Sequence, residues 1–142
     1  MFGKKDPAVM MIDAFCAELD RKGVKYSANR EKKLVSITYD NDHYKNQAFT
    51  FFFDDDGESF YVRAYSIEQF TKSQLDDAYA FCNQMNADYR WLTFYVDSDD
   101  ELTARADSIA NLKTMGPRGY EILQRFVRIV DKVCEKLYSY FT

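Results

Sequence analysis

Two acidic clusters are the first candidates for chemistry in this chain. Asp54-Asp55-Asp56-Gly57-Glu58 has the carboxylates and the glycine of a calcium-binding loop. Setting Gly57 at the sixth loop position, however, puts Phe52 where the first ligand must stand, and phenylalanine offers no oxygen. Asp97, Asp99 and Asp100 have no glycine at the required bend. Both clusters separate strongly alternating segments, so hairpin tips explain them better than metal sites. No metal ligand and no cofactor are assigned.

Catalytic constellations fare no better. His43 is the only histidine and stands in the polar run Asp42-His43-Tyr44-Lys45, without partners at the spacings of a triad or a zinc site. Cys16, Cys82 and Cys134 lie far apart, form no CxxC pair, and each falls on the apolar stripe of an expected helix. They read as reduced core thiols of a cytoplasmic protein. The five glycines are scattered, so no phosphate-binding loop exists. The expectation is a protein that is not an enzyme, with no catalytic residue to name.

The elements that would position any site follow from hydrophobic period. Asp6-Pro7 opens a first helix as cap and first-turn residue, Ala8, Ile12, Phe15, Cys16 and Leu19 repeat at helical spacing, and Gly23 ends it. The period then drops to two. Strands are expected at residues 24–28, 33–39, 49–53 and 60–64, with Asp54–Gly57 as a hairpin turn. A second helix spans residues 71–85 with Asn86 as its stop, and residues 90–96 and 101–107 give two more strands. Residues 108–119 contain Gly116-Pro117 and read as a loop before a last helix over residues 120–141. The order α-β-β-β-β-α-β-β-α, with connections too short for crossovers, gives an α+β fold: a mainly antiparallel, twisted sheet with helices packed on it, in a single domain over residues 1–142.

Twelve Phe, eleven Tyr and one Trp make 17% of the chain aromatic. If Phe49, Phe51, Phe53, Phe60, Val62 and Phe94 face the helices, the period of two sends Phe52, Tyr61, Arg63, Tyr65, Trp91, Tyr95 and Arg105 to the other face. Tyr, Trp and Arg combine large apolar area with a polar tip, and they dominate binding hot spots. These seven residues are the candidate partner-binding set.

One stretch carries a resemblance. Asn83-Gln84-Met85-Asn86, followed by Arg90-Trp91-Leu92-Thr93-Phe94-Tyr95-Val96-Asp97, resembles the YbjN-like family, which pairs a helix ending in Asn with a Trp-containing strand and an acidic turn. The entry through Gly23, the hairpin at Asp54–Gly57, and Val127, Ile129, Val130 and Asp131 of the last helix extend it over most of the chain. The resemblance implies a fold like the type III secretion chaperones. It also implies a non-enzymatic binding or regulatory role, since the family is described as bacterial regulators of sensory transduction. No family site residue maps onto this chain, and the loop at residues 108–119 departs from the family pattern.

Net charge −4 and a pI near 5.0 argue against nucleic acid as an obligatory partner. No apolar run reaches the ~18 residues of a membrane span. The start, Met1-Phe2-Gly3-Lys4-Lys5-Asp6-Pro7, lacks the apolar run of an export signal. The expected function is therefore a protein-binding module, chaperone-like or regulatory, using the aromatic sheet face for a protein partner or a homodimer. The alternative is a small-molecule sensor with an aromatic pocket between helices and sheet, lined by Tyr26, Tyr39 or Tyr79. Ile122, Ile129 and Tyr138, off the main stripe of the last helix, offer a third surface, for an adaptor role.

Overall fold

The switch from a 3.6-residue to a two-residue period after Gly23 is realised as a change from helix to sheet. In the computed structural model, which describes residues 6–141, α1 (Pro7–Arg21) leads into β1 (Ser27–Asn29), β2 (Leu34–Tyr39), β3 (Gln47–Phe53) and β4 (Ser59–Ala64). A 3-10 turn at Lys72–Gln74 enters α2 (Leu75–Asp88); β5 (Thr93–Val96), β6 (Leu102–Ile109) and α3 (Met115–Phe141) complete the chain. The reading of Met1–Lys5 as free of an export signal falls outside the described residues. Among the described residues, no helix is long and apolar enough to cross a membrane.

The strands form one sheet in the order β1-β2-β3-β4-β6-β5, every neighbouring pair antiparallel. Four strands follow in sequence, then the chain leaves through α2 and returns as the β5–β6 hairpin, with β6 rather than β5 beside β4. Alternation holds strictly in β3 and β4, where Phe49, Phe51, Phe53, Phe60 and Val62 are buried and the residues between them are not.

α1 and α3 lie on that buried face. The Phe15 ring of α1 meets Phe51 at 4.4 Å, and Phe126 of α3 meets Phe49 edge-on at 5.7 Å. The two helices approach closely because α3 presents glycine at the contact. A Cβ on Gly119 would stand 2.7 Å from the Phe15 ring and from the Met115 methyl, and one on Gly116 would stand 3.1 Å from Glu18 Cβ.

Two sequence expectations are corrected here. Residues 108–119 are not one loop: β6 runs on through Ile109 and α3 begins at Met115, leaving residues 110–114 as the connection. Pro117 does not prevent this, since a first-turn N–H has no intrahelical acceptor to lose. Asn86 does not stop α2 either, which continues to Asp88. Its side chain instead donates to the Phe94 carbonyl at 3.0 Å and accepts from the Phe94 N–H at 2.6 Å. It thus occupies the outward hydrogen-bonding groups of edge strand β5, as a further strand would.

The acidic clusters are hairpin tips. Asp56 accepts from the N–H groups of Glu58 and Ser59, both at 2.8 Å, and from the Ser59 hydroxyl at 2.7 Å, which lowers its carboxyl below the usual range. Gly57 is left-handed (φ 71°), and a Cβ there would lie 2.4 Å from Pro7 Cβ, so the tip tucks against the start of α1. Lys33 ties the same corner, pairing with both Asp6 and Asp55. In the second cluster one Asp97 oxygen accepts from the Asp99 and Glu101 N–H groups, and the other from the Thr103 hydroxyl at 2.9 Å. The carboxylates of Asp97, Asp99 and Glu101 lie within 4.8 Å of one another, but Asp97 is committed on both oxygens to holding the turn.

Two substitutions test this account. Gly119→Ala raises helix propensity by roughly 1 kcal/mol yet drives a methyl into the Phe15 ring, so it should lower unfolding stability by about 1–3 kcal/mol; an unchanged or raised denaturation midpoint would contradict the close approach of α1 and α3. Asn86→Ala should cost about 1 kcal/mol in the same measurement, with amide exchange at Phe94 accelerated.

Candidate functional site

The outward face of the sheet is built by register. Phe52 of β3 stands opposite Tyr61 of β4, and their rings stack at 4.8 Å with 14° between planes. Two residues along β4, the Arg63 guanidinium lies over the Tyr61 ring at 5.0 Å and 6.0 Å from the ring of Tyr65, donating to the Tyr65 hydroxyl at 3.3 Å. That hydrogen bond is the main reason the guanidinium is held above its ordinary pKa. Arg105 of β6 stands opposite Arg63, and its charge is met by Asp107 at 2.8 Å. Thr93 and Tyr95 of β5 continue the face across Arg105 and Thr103.

Six of the seven expected residues therefore share one surface: Phe52, Tyr61, Arg63, Tyr65, Tyr95 and Arg105. All are half-buried except Tyr65, which is exposed. α1 and α3 pack on the opposite side, and α2 meets α3 there through Phe81 and Phe141 at 6.3 Å, so no helix among the described residues lies over this row. A shallow depression beside it is formed by Tyr61, Arg63, Arg105, Asp107 and Ile109. Ile109, 68% exposed, was missed by sequence reading because residues 108–119 read as loop. The available signal was that small residues at Ala104, Ala106 and Ser108 continue the inward parity of β6.

Trp91 is the exception. β5 starts only at Thr93, so Trp91 sits in the preceding turn and does not obey the alternation of the strand. Its ring lies on the helix side, under the Arg125 guanidinium of α3 at 5.1 Å, and is 57% exposed.

The sensor alternative required a cavity lined by Tyr26, Tyr39 or Tyr79. Tyr79 is exposed on α2, Tyr39 packs edge-on against Phe49 at 5.8 Å, and Tyr26 is raised to about 12 by its hydrogen bond with Asp20. Neither the sheet-face depression nor the groove beside Trp91 is lined by any of them. The site chemistry on offer is stacking, hydroxyl donation and guanidinium pairing, which suits recognition.

A family model described as "Putative bacterial sensory transduction regulator" matches residues 12–142. The chain belongs to the YbjN family. No curated protein matches it in sequence. Among solved structures, this YbjN-family chain is similar to the Yersinia pestis type III secretion chaperone SycH, crystallised with a fragment of YscM2, at TM-score 0.58 and 14% identity, covering 87% of this chain and 98% of that one. It is also similar to Escherichia coli YbjN, described as "a putative transcription regulator", at TM-score 0.56 and 11% identity, covering 84% of this chain and 87% of that one. At these identities the likeness establishes the fold, an α+β arrangement shared with secretion chaperones. Family and fold alike resemble proteins described as regulators and chaperones rather than enzymes.

The cysteines of this YbjN-family member are buried on α1, α2 and α3. Burial raises all three thiols, Cys82 to about 11 and Cys134 to about 12. An unfolded thiol ionises near pH ~8.5, so between that value and the folded ones the native chain holds protons the unfolded chain has released. Stability should therefore fall as pH rises through this window. Urea midpoints lower at pH ~10.5 than at pH ~8 would show it, alongside thiol labelling that is slow in the native chain and fast in denaturant.

Proposed function

We propose that this protein is a non-catalytic, cytoplasmic binding module of chaperone-like or regulatory kind, which receives a protein partner on the open face of its sheet. The observation that carries the reading is the continuous row Phe52–Tyr61–Arg63–Tyr65, stacked in register and free of any helix among the described residues. Solvated sheet faces are usually Thr, Ser, Lys and Glu; stacked rings bridged by a guanidinium supply the apolar area and directional donors of an interface core. Arg63 and Arg105 facing one another favour a partner that brings a carboxylate or a carbonyl between them. A second copy of this chain is one such partner, making the same row a homodimer surface.

Support for a binding role also comes from SycH, whose structure holds a fragment of another protein. The buried, unpaired thiols fit a reducing compartment.

The test compares wild type with Phe52→Ser/Tyr61→Ser in affinity capture from a bacterial lysate, with sedimentation velocity for self-association. The double variant removes half-buried stacking outside the core, so it should still unfold in a cooperative melting transition while losing a captured partner or a dimer. Loss of neither would remove the sheet face from consideration. Trp91→Ser, on the opposite side, should leave this binding unchanged.

A further inference from the structure

The helix side of the fold carries a second depression, which borders the sheet-face one at Asp107 and Ser108. α3 carries Arg118, Ile122, Arg125, Ile129, Lys132 and Lys136 at alternating four- and three-residue intervals, which keeps them on one flank of the helix. Its arginines and lysines are exposed and its isoleucines half-buried. This flank faces the segment joining α2 to β5. Lys136 Nζ lies over the Tyr89 ring at 4.9 Å, and Arg125 lies over Trp91 at 5.1 Å.

Between Trp91 and the N-terminal half of α3 the surface sinks into a groove of about 420 Å³. Leu92, Ala106 and Phe126 contribute apolar lining, with Pro117 and Ile122 on the α3 side. That volume is within the ~300–1,000 Å³ range of sites that seat a bulky group. Charge at the rim is unbalanced. Glu121 is held by Arg125 at 3.1 Å and Asp107 by Arg105 at 2.8 Å, whereas Lys113 and Arg118 have no acidic partner among the described residues. On a chain of net charge −4, this is a cationic strip against the prevailing sign.

We propose that the groove docks an acidic segment of a partner protein, with one large apolar side chain seated between Trp91 and Ile122 and its carboxylates on Lys113 and Arg118. Charge complementarity selects the segment, and the apolar groove selects protein over other polyanions. A nucleic acid or an anionic membrane would engage the cations and leave the apolar surface of Trp91 and Ile122 unused. The groove borders the sheet-face depression at Asp107 and Ser108, but none of Phe52, Tyr61, Arg63 and Tyr65 lines it, so its test can fail without the sheet-face reading failing.

Trp91 is the only tryptophan in the sequence, so its emission reports on this groove alone. The full chain is titrated with a short synthetic peptide of Glu and Asp around a Leu-Phe-Leu centre. Controls are the same peptide with Ser at the centre, the charge-reversed Lys version, a single-stranded DNA oligonucleotide, and phosphatidylserine vesicles. The expected result is a saturable blue shift with the acidic, apolar peptide, weakened by salt and about tenfold or more by Lys113→Glu/Arg118→Glu. Lys113→Ala/Arg118→Ala, which leaves no new charge, should weaken it in the same direction, and Phe52→Ser/Tyr61→Ser should not alter it. No shift with that peptide, or an equal one with the Ser-centred peptide, the DNA or the vesicles, overturns the proposal.

Discussion

The Phe15 ring is the contact on which the rest of this architecture depends. It touches Phe51 of the sheet at 4.4 Å, and on the other side it lies so close to Gly119 that no Cβ fits. One side chain thereby fixes the spacing of α1, α3 and β3. Two helices that approach this closely can lie side by side on a single sheet face, and the long α3 brings Leu123, Phe126, Val130 and Val133 down onto the same layer. With the helices gathered on one side, a period-two sheet must leave its other side without them. The open aromatic face is thus a consequence of close helix packing as much as of the strand sequence.

Edge management shapes the remaining surface. β1, with three residues, is too short to template much pairing, while β5 has its outward Phe94 groups taken by Asn86. Blocking β5 with a side chain of α2 requires the α2–β5 connection to turn tightly, and Tyr89 and Trp91 fall in that turn. They are therefore directed to α3 and its cations instead of to the sheet. The same device that protects the edge builds the wall of the groove.

How much of this was legible in the sequence depended on how far period alone governs a segment. Element order, the antiparallel meander, and the inward Phe49, Phe51, Phe53 and Phe60 followed from alternation, because in a one-sided sheet a shift of one residue would bury the wrong set. Phe52, Tyr61 and Arg63 followed from the same parity. Trp91 did not, since it lies two residues before the start of β5, where backbone pairing does not fix side-chain direction. Residues 108–119 misled for a related reason. Ser108 and Ile109 invert the usual contrast, with the polar residue facing inward and the apolar one outward, and Gly116-Pro117 normally signals a break. Here Pro117 falls where a helix tolerates it, and Gly116 marks a helix crossing rather than a turn. Asn86 lies inside α2 rather than at its end, and its long-range bond to Phe94 has no local signature.

Two surfaces of different character thus emerge from one packing solution. The sheet face is aromatic and carries Arg63 and Arg105 within a stacked row, whereas the α3 flank is cationic and bounded by Tyr89 and Trp91. The two meet at β6, where Asp107 and Ser108 line both the sheet-face depression and the groove. Two paths join them: the Arg105–Asp107 ion pair at that shared rim, and Phe126, which meets Phe49 at 5.7 Å beneath the groove, with the strands that also hold Phe52 and Tyr61 on the reverse side. A densely packed core of this kind transmits displacement poorly unless it has a second arrangement to adopt, and the glycine contact at Phe15 leaves α3 little room to shift. The geometry therefore places the link between the two proposed surfaces at the shared Asp107 rim of a rigid scaffold rather than in its core.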